Sequence, residues 1–232
     1  MGKKRRRSYD QYCTVARALD VVGERWTLLL VRELSTGPKR FKDLLEGLPG
    51  IGTNLLTARL KALEGEGIVR RSTLPPPAGS NVYELTELGW SLEPVIVALS
   101  RWGTTFLDVP RQEDDLRPGW AAVAMRSAVE SGATSDSRGA YEFHIDGEVF
   151  HLRVRDGEVE AHQGPAPDAD LVLIGDTETF LALASKRLEP KEAVESGALT
   201  IEGAGESQDV LLMRCLALIG PGAHRKATRI SP

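Results

Sequence analysis

The sequence predicts an α+β protein of two domains, and three observations carry that prediction. Its 232 residues exceed the roughly 150 of a usual single domain. Apolar residues recur at three-to-four spacing through the first half and at alternate positions through much of the second. The charge divides with the pattern: residues 1–110 hold 16 Lys+Arg against 12 Asp+Glu, and residues 111–232 hold 13 against 21. The net charge of −4 therefore conceals a basic half joined to an acidic one, which suggests modules with different partners. Swings of this size are also common between ordinary surface-charged domains, so charge alone does not name a partner.

Composition narrows the class. With 41% hydrophobic and 27% charged residues, the chain has enough apolar surface to fold and is not a disordered polymer. Its longest apolar run is the six residues Trp120–Met125, against the ~20 of a membrane helix. The basic start MGKKRRRSYDQY has no apolar stretch behind it, so no secretory signal is expected. Two cysteines, Cys13 and Cys215, make no disulfide framework, which points to a reducing, cytoplasmic setting.

In the first half, Val15–Val22, Trp26–Leu34, Phe41–Leu48 and Leu55–Leu63 are the predicted helices. Glu87–Leu107 is a longer helical pattern in which Pro94 should cause a kink or a restart. Val69–Thr73 and Val82–Thr86 are short strands around the Pro/Gly/Ser loop Leu74–Asn81. Asp108–Gly119, with two prolines and six charges, has little to place in a core. It divides the chain into domains at 1–108 and 120–232 with a linker at 109–119.

Beyond the linker the period becomes two. Tyr141, Phe143 and Ile145 alternate with Glu142 and His144, and Phe150, Leu152 and Val154 alternate with His151 and Arg153. Asp146-Gly147 and Asp156-Gly157 supply hairpin turns, and Val159–Gln163 follows the second. Leu171–Gly175 and Leu199–Glu202 are further strands. Thr177–Ser185, Lys191–Ser196 and Gln208–Ile219 are the predicted helices, the first capped by Asp176 or Thr177. Such a domain is a mostly antiparallel sheet covered by helices on one side.

Function is most legible in Ser35–Thr86. A short amphipathic helix, the tight turn Pro49-Gly50-Ile51-Gly52 and a second helix with Thr53 as its expected N-cap form a helix-turn-helix. The second helix of that motif enters the DNA major groove, and the two strands with their loop add a wing. At about 100° per residue, Leu55, Leu56, Leu60 and Leu63 fall in an arc of roughly 140° facing the core. Asn54 and Lys61 centre the opposite face, flanked by Thr57 and Ala58. Asn suits adenine, Thr bonds either strand or touches a thymine methyl, and Lys reaches guanine or phosphate. Arg59 lies at the edge of the apolar arc, so a phosphate or an intramolecular carboxylate is its expected partner. The plain alternative, a solvated helix face, loses ground because the whole motif surrounds these residues.

The segments Cys13–Leu34, Gly37–Leu44, Leu48–Ile51, Leu55–Glu64 and Tyr83–Thr86 resemble HxlR-type winged-helix regulators over about residues 9–107. The resemblance implies a dimeric bacterial transcription factor, a repressor, whose first helix and Glu87–Leu107 helix form most of the dimer interface. There are departures. Cys13-Thr14 stands where the family usually has Cys-Pro, and Glu24-Arg25 where it has Gly-Lys. The loop Leu74–Asn81 lacks the basic residue common at the wing end, so Arg70 and Arg71 on the preceding strand are the expected phosphate contacts there. The expected DNA-binding set is thus Thr53, Asn54, Thr57, Ala58, Arg59, Lys61, Arg70 and Arg71. The Lys3–Arg7 run is either a minor-groove arm or a solubilising tail.

The same resemblance makes Cys13 a candidate redox sensor. A sensing thiol needs a low pKa and solvent access; Cys13 opens the first helix, with Arg17 one turn on along the same face. The alternative is an inert cysteine acting as a small apolar residue. Cys215, within the apolar run Val210–Ile219, is expected in the core.

In the second half, Asp168–Leu183 followed by Ala193–Gly203 resembles a sterol-carrier-protein type domain over about residues 120–220. That family encloses an apolar tunnel between a sheet and its helices. The resemblance implies a small hydrophobic ligand, with Phe143, Phe150, Leu152, Phe180, Leu181, Met213 and Leu216 as candidate wall residues. Apolar pockets and apolar cores use the same residue types, so core packing is the competing assignment for each.

Other chemistry lacks motif support. The four histidines, His144, His151, His162 and His224, have no metal-ligand spacing, and His144 and His151 are expected to face solvent. No nucleotide-binding loop or catalytic triad motif occurs, so neither a cofactor, a metal nor an enzymatic activity is expected. Two readings follow. One is a homodimeric DNA-binding regulator whose second domain senses a small hydrophobic ligand or stabilises the dimer. The alternative is a lipid- or hydrophobic-ligand-binding carrier protein whose winged helix serves protein interaction. Double-stranded DNA, a second copy of the chain and a hydrophobic ligand are the expected partners, with no membrane.

Overall fold

The computed structural model describes residues 8–75, 79–106, 114, 120, 138–155, 158–184, 187–203, 210, 212, 213 and 215. The chain forms two compact units, residues 1–96 and 97–232. Most of the expected linker, the Lys3–Arg7 run, the Asp156-Gly157 turn, Leu216 and His224 lie outside the described residues.

The first unit runs α1 (Thr14–Val22), α2 (Thr27–Leu34), α3 (Phe41–Gly47), α4 (Thr53–Gly65), β1 (Val69–Thr73), β2 (Asn81–Leu85) and α5 (Glu87–Trp90). The helix α6 (Glu93–Gly103) follows and crosses the division between the units. Four helices contribute apolar faces to one core: Val22 from α1, Leu30, Val31 and Leu34 from α2, Leu44 from α3, and Leu56, Leu60 and Leu63 from α4, all buried. Val69 and Leu85 add the inward side of the β1–β2 hairpin. Lys39 pairs with Tyr83 through both backbone groups, at 2.9 and 2.8 Å, so a single antiparallel bridge fastens the α2–α3 connection to β2.

Local chemistry sets the element ends. Gly50, between α3 and α4, has φ +86°, a left-handed conformation that costs a residue with a Cβ. The cap of α4 corrects an expectation: Gly52, not Thr53, is its N-cap, and Thr53 is the first helical residue. Gly52 is extended, and its carbonyl accepts from Leu56 N at 2.9 Å. At α5, Thr86 caps with its hydroxyl oxygen, accepting from Gly89 N at 3.1 Å, while its proton goes to the Gly67 carbonyl at 2.5 Å. The long helical pattern does restart: α5 ends at Trp90, and Pro94 sits in the first turn of α6, where its missing N–H removes no helical bond.

The second unit holds the five-stranded sheet β5-β4-β3-β6-β7, built from β3 (Gly139–Ile145), β4 (Glu148–Arg155), β5 (Glu158–Gln163), β6 (Leu171–Gly175) and β7 (Leu199–Gly203). Only β3 and β6 pair in parallel; every other neighbour is antiparallel. Two helices, α7 (Thr177–Ala184) and α8 (Pro190–Glu195), lie between β6 and β7 in sequence. At the β3–β4 turn Asp146 and Gly147 have φ of 49° and 81°, the paired left-handed conformation of a two-residue hairpin. Asp146 also accepts from Thr177 N at 3.0 Å, which fastens that turn to the start of α7. Asp176 is the cap of α7, accepting from Thr179 N at 2.7 Å; that bond holds its carboxyl below the ordinary range.

Alternation divides the sheet into two unlike faces. Tyr141, Phe143, Ile145, Phe150, Leu152, Val154, Ala161, Leu171 and Leu173 form one buried cluster with Leu183, Ala193, Leu212 and Cys215. The rings of Phe143 and Phe150 stack at 4.8 Å, and Phe180 meets Phe143 edge-on at 6.0 Å. The other face carries Glu142, His144, His151, Arg153, Glu160 and His162.

A substitution pair checks the packing of the first unit. A Cβ at Gly89 would stand 2.2 Å from the backbone oxygen of Ile68, whereas nothing lies within 4 Å of one at Gly65. Gly89→Ala should lower unfolding free energy by about 1–3 kcal/mol and Gly65→Ala should leave it nearly unchanged, measured by urea unfolding of each variant.

Candidate nucleic-acid interface

The candidate interface is built on α4. Leu56, Leu60 and Leu63 are at most 1% exposed, and this single buried stripe fixes how the helix is rotated about its axis. Thr53, Asn54, Thr57, Ala58 and Lys61 consequently stand on the exposed side. The geometry brings these five expected residues together on one surface. Thr57 directs its hydroxyl inward along the helix, donating to the Thr53 carbonyl at 2.9 Å.

Arg59 takes the carboxylate among its two expected partners. Its Nη2 lies 2.8 Å from Glu24 Oε2, and its Nε donates to the Arg25 carbonyl at 3.1 Å. Both acceptors belong to the α1–α2 connection, so Arg59 ties the middle of α4 to the chain before α2. Arg25 stacks over the ring of Trp26 at 5.2 Å, and Trp26 itself adopts φ 76° as the N-cap of α2. The anchor formed by Glu24 and the Arg25 carbonyl was not legible in sequence. A carboxylate 35 positions away leaves no spacing signal.

The two strand arginines are also engaged. Arg70 Nε sits 2.8 Å from Glu84 Oε1, its direct cross-strand neighbour. Arg71 Nε lies 2.9 Å from Glu64 Oε1 at the end of α4 and stacks over Tyr83 at 5.3 Å. Both side chains keep about two thirds of their surface exposed, 66% and 64%, and exposed pairs of this kind are worth ~0–1 kcal/mol. A phosphate can therefore compete for either guanidinium at small cost. The Arg70–Glu84 pair was available to sequence reasoning, because hairpin register places the two residues opposite each other.

Cys13 is the exposed N-cap of α1. The N–H groups of Ala16 and Val15 at the open helix start favour its thiolate and hold the thiol below its ordinary value. Arg17, the expected positive neighbour, instead turns its guanidinium towards Asp20, at 3.5 Å. Cys215 is fully buried, and burial pushes its thiol far upward. The α1 residues Val15 and Leu19 are exposed, as are Val95, Leu99, Trp102 and Phe106 on α6 and the turn after it.

In the second unit the candidate wall residues separate. Phe143, Phe150 and Leu152 belong to the buried cluster and Phe180 packs against it. Leu181 is half-buried, and Met213 is 63% exposed. The opposite sheet face corrects the expectation for its histidines: His151 is buried and His144 half-buried. The segment after β5 crosses this face and accounts for the burial. His151 Nδ1 bonds the Gly164 carbonyl at 2.9 Å, Ala166 N donates to Glu142 at 2.6 Å, and Arg153 pairs with Asp168. Alternation does not reveal this, since it cannot show a loop folding back over a strand. Burial alone would raise the Glu142 carboxyl. It is outweighed by the bond from His144, the Ala166 N–H and the nearby imidazoles, so the group sits below its ordinary 4.5.

Two measurements check these assignments. Alkylation of the folded chain should label Cys13 and spare Cys215, with both labelled after denaturation, as read by mass spectrometry. A carboxyl lowered on folding contributes stability that is complete above its unfolded value and is lost as pH falls through the folded one. The parent chain should therefore lose stability below about pH 4.5 more steeply than Glu142→Gln, measured by thermal melting across an acid series.

Comparison with known proteins places these observations. A family model described as HxlR-like helix-turn-helix matches residues 21–111, and one described as the SCP-2 sterol transfer family matches residues 122–208. An uncharacterized HTH-type transcriptional regulator of Synechocystis sp. is 35% identical over 107 residues, covering 46% of this chain and 79% of that one. The HTH-type transcriptional regulator YodB of Bacillus subtilis is 38% identical over 91 residues, covering 39% of this chain and 81% of its own. The solved structure of the reduced form of YodB matches at 35% identity with a TM-score of 0.37, over 44% of this chain and 100% of that chain. Among the described residues no helix is long and apolar enough to cross a membrane, and no group of His, Cys, Asp and Glu is placed to hold a metal ion.

Proposed function

We propose that this chain, which belongs to the HxlR-like helix-turn-helix family, is a bacterial DNA-binding transcriptional regulator, a repressor acting in the cytoplasm as a homodimer. The observation that carries the reading is the surface of α4. Asn54, Thr57, Ala58 and Lys61 are exposed together on the helix that a helix-turn-helix inserts in the major groove. Asn54 and Thr57 supply base contacts, and Lys61 supplies charge. Arg59 acts from behind by holding the helix to Glu24 and Arg25, and Arg70 and Arg71 exchange their carboxylate partners for phosphates at the wing.

The exposed apolar residues of α1 and α6 are the proposed dimer surface. Two-fold assembly uses the same residues of both copies, and Val15 and Leu19 of α1 and, separately, Val95, Leu99, Trp102 and Phe106 of α6 and its following turn are large apolar side chains exposed in the single chain. Cys13 is the proposed sensing thiol: it is exposed, and its thiolate is favoured by the helix start. The domain at 120–232, joined by the linker at 109–119, is the proposed site for a small hydrophobic ligand. It modulates DNA binding only if the ligand prefers one state of the dimer, since equal affinity for both shifts nothing.

One observation favours the second reading, a hydrophobic-ligand carrier whose winged helix contacts protein. Both strand arginines have carboxylate partners within the chain. A gel shift on the DNA upstream of the chain's own gene separates the two. Sequence-specific retardation supports the regulator; binding no tighter than to random DNA of the same length supports the carrier. Asn54→Ala should cost about 1–3 kcal/mol and relax sequence preference, while Lys61→Ala should weaken binding evenly and reduce the salt slope by about one. Light scattering at micromolar concentration should give twice the chain mass, and a monomer would contradict the proposed assembly.

A further inference from the structure

We propose that Thr57 and Ala58 together recognise a thymine through its 5-methyl group, so that α4 reads part of its site by apolar contact. This rests on the DNA-binding reading above and specifies what the centre of that helix selects. Thr57 can contact a base in three ways: its hydroxyl can donate a hydrogen bond or accept one, a mode that Thr57→Val removes, or its methyl can pack against the thymine methyl. A threonine hydroxyl carries a single proton, and here that proton lies in a 2.9 Å bond to the Thr53 carbonyl. Donating to a base would break this bond. The methyl is free of any such commitment, and the side chain is exposed.

Ala58, the next residue, is exposed as well and offers only its Cβ. The two methyl groups thus occupy neighbouring exposed positions of the helix. Asn54 lies one turn before it and Lys61 one turn after, on the same exposed side. An amide beside a methyl pair matches the major-groove edge of A·T pairs, where adenine offers N6–H and N7 and thymine alone offers a methyl. Cytosine presents an N4 donor and no methyl at the corresponding edge, so it gains nothing from the two methyl groups.

The test uses the full chain and the upstream duplex that it retards, with each thymine replaced singly by deoxyuridine. That change removes the 5-methyl and keeps Watson–Crick pairing. At one or two thymines in each half-site the parent chain should bind about fourfold more weakly, the effect of withdrawing one methyl group from an apolar contact. Thr57→Ser keeps the hydroxyl and loses the methyl; it should bind the unmodified duplex about fourfold more weakly and respond to deoxyuridine less than the parent, through Ala58 alone. Thr57→Val keeps a methyl and loses the hydroxyl; it should retain both the affinity and the deoxyuridine response. Circular dichroism confirms that each variant is folded. The inference is overturned if specific binding ignores deoxyuridine at every position, if Thr57→Ser keeps the parent's response, or if Thr57→Val loses affinity while Thr57→Ser does not. Failure of the parent chain to prefer any DNA overturns the DNA-binding reading itself, which is a separate and earlier result.

Discussion

The first unit depends on one buried stripe, formed by Leu56, Leu60 and Leu63 of α4. Burying three leucines is worth about 1.5–3 kcal/mol each. A rotation of α4 by even one residue position would swing this stripe about 100° away from the core and forfeit much of that energy. The apolar contact therefore sets the orientation of the polar face, although no polar residue takes part in it. Lesser devices serve the same alignment. Gly50 allows the left-handed step before the helix, Gly52 caps it, and Arg59 pins its flank to the α1–α2 connection. The exposed pair Arg59–Glu24 contributes little stability by itself; its effect is to favour one placement among those the leucines permit.

The second unit solves an equivalent problem with a period of two. Tyr141, Phe143, Ile145, Phe150, Leu152, Val154, Leu171 and Leu173 share one buried cluster with Leu183 and Ala193, and the opposite face mixes Glu142, His144, His151 and Arg153 with Ala140, Val149, Val172 and Ile174. That face is partly closed by the chain segment after β5, held by Glu142, His151 and Arg153. A buried carboxylate is tolerated there because it accepts both a backbone N–H and an imidazole bond.

Most of this architecture was legible because it follows from periodicity and punctuation. The three-to-four spacing located α1 to α4, Pro94 marked the restart of α6, and Asp146-Gly147 identified a hairpin turn whose left-handed angles the structure bears out. What escaped was one helix boundary and the non-local contacts. Thr53 has the chemistry of an N-cap, yet the preceding Gly52 takes that place. His151 alternates with core residues and is buried all the same, since the Gly164 carbonyl reaches it from beyond β5. Glu24 and Glu64, which hold Arg59 and Arg71, carry no local signature of doing so. Sequence patterns specify which face is apolar; they do not specify what folds back upon the polar one.

The account stands on the orientation of α4, and dimethyl-sulfate interference on the retarded upstream DNA tests that orientation most directly. The reagent methylates guanine N7, which lies in the major groove, and adenine N3, which lies in the minor groove. If the leucine stripe aims Asn54, Thr57, Ala58 and Lys61 into the major groove, methylated guanines should block binding. A dimer should show them in two clusters, about 10–10.5 base pairs or a multiple of that apart. Specific binding that tolerates N7 methylation at every guanine and is blocked only at adenine N3 would contradict the account.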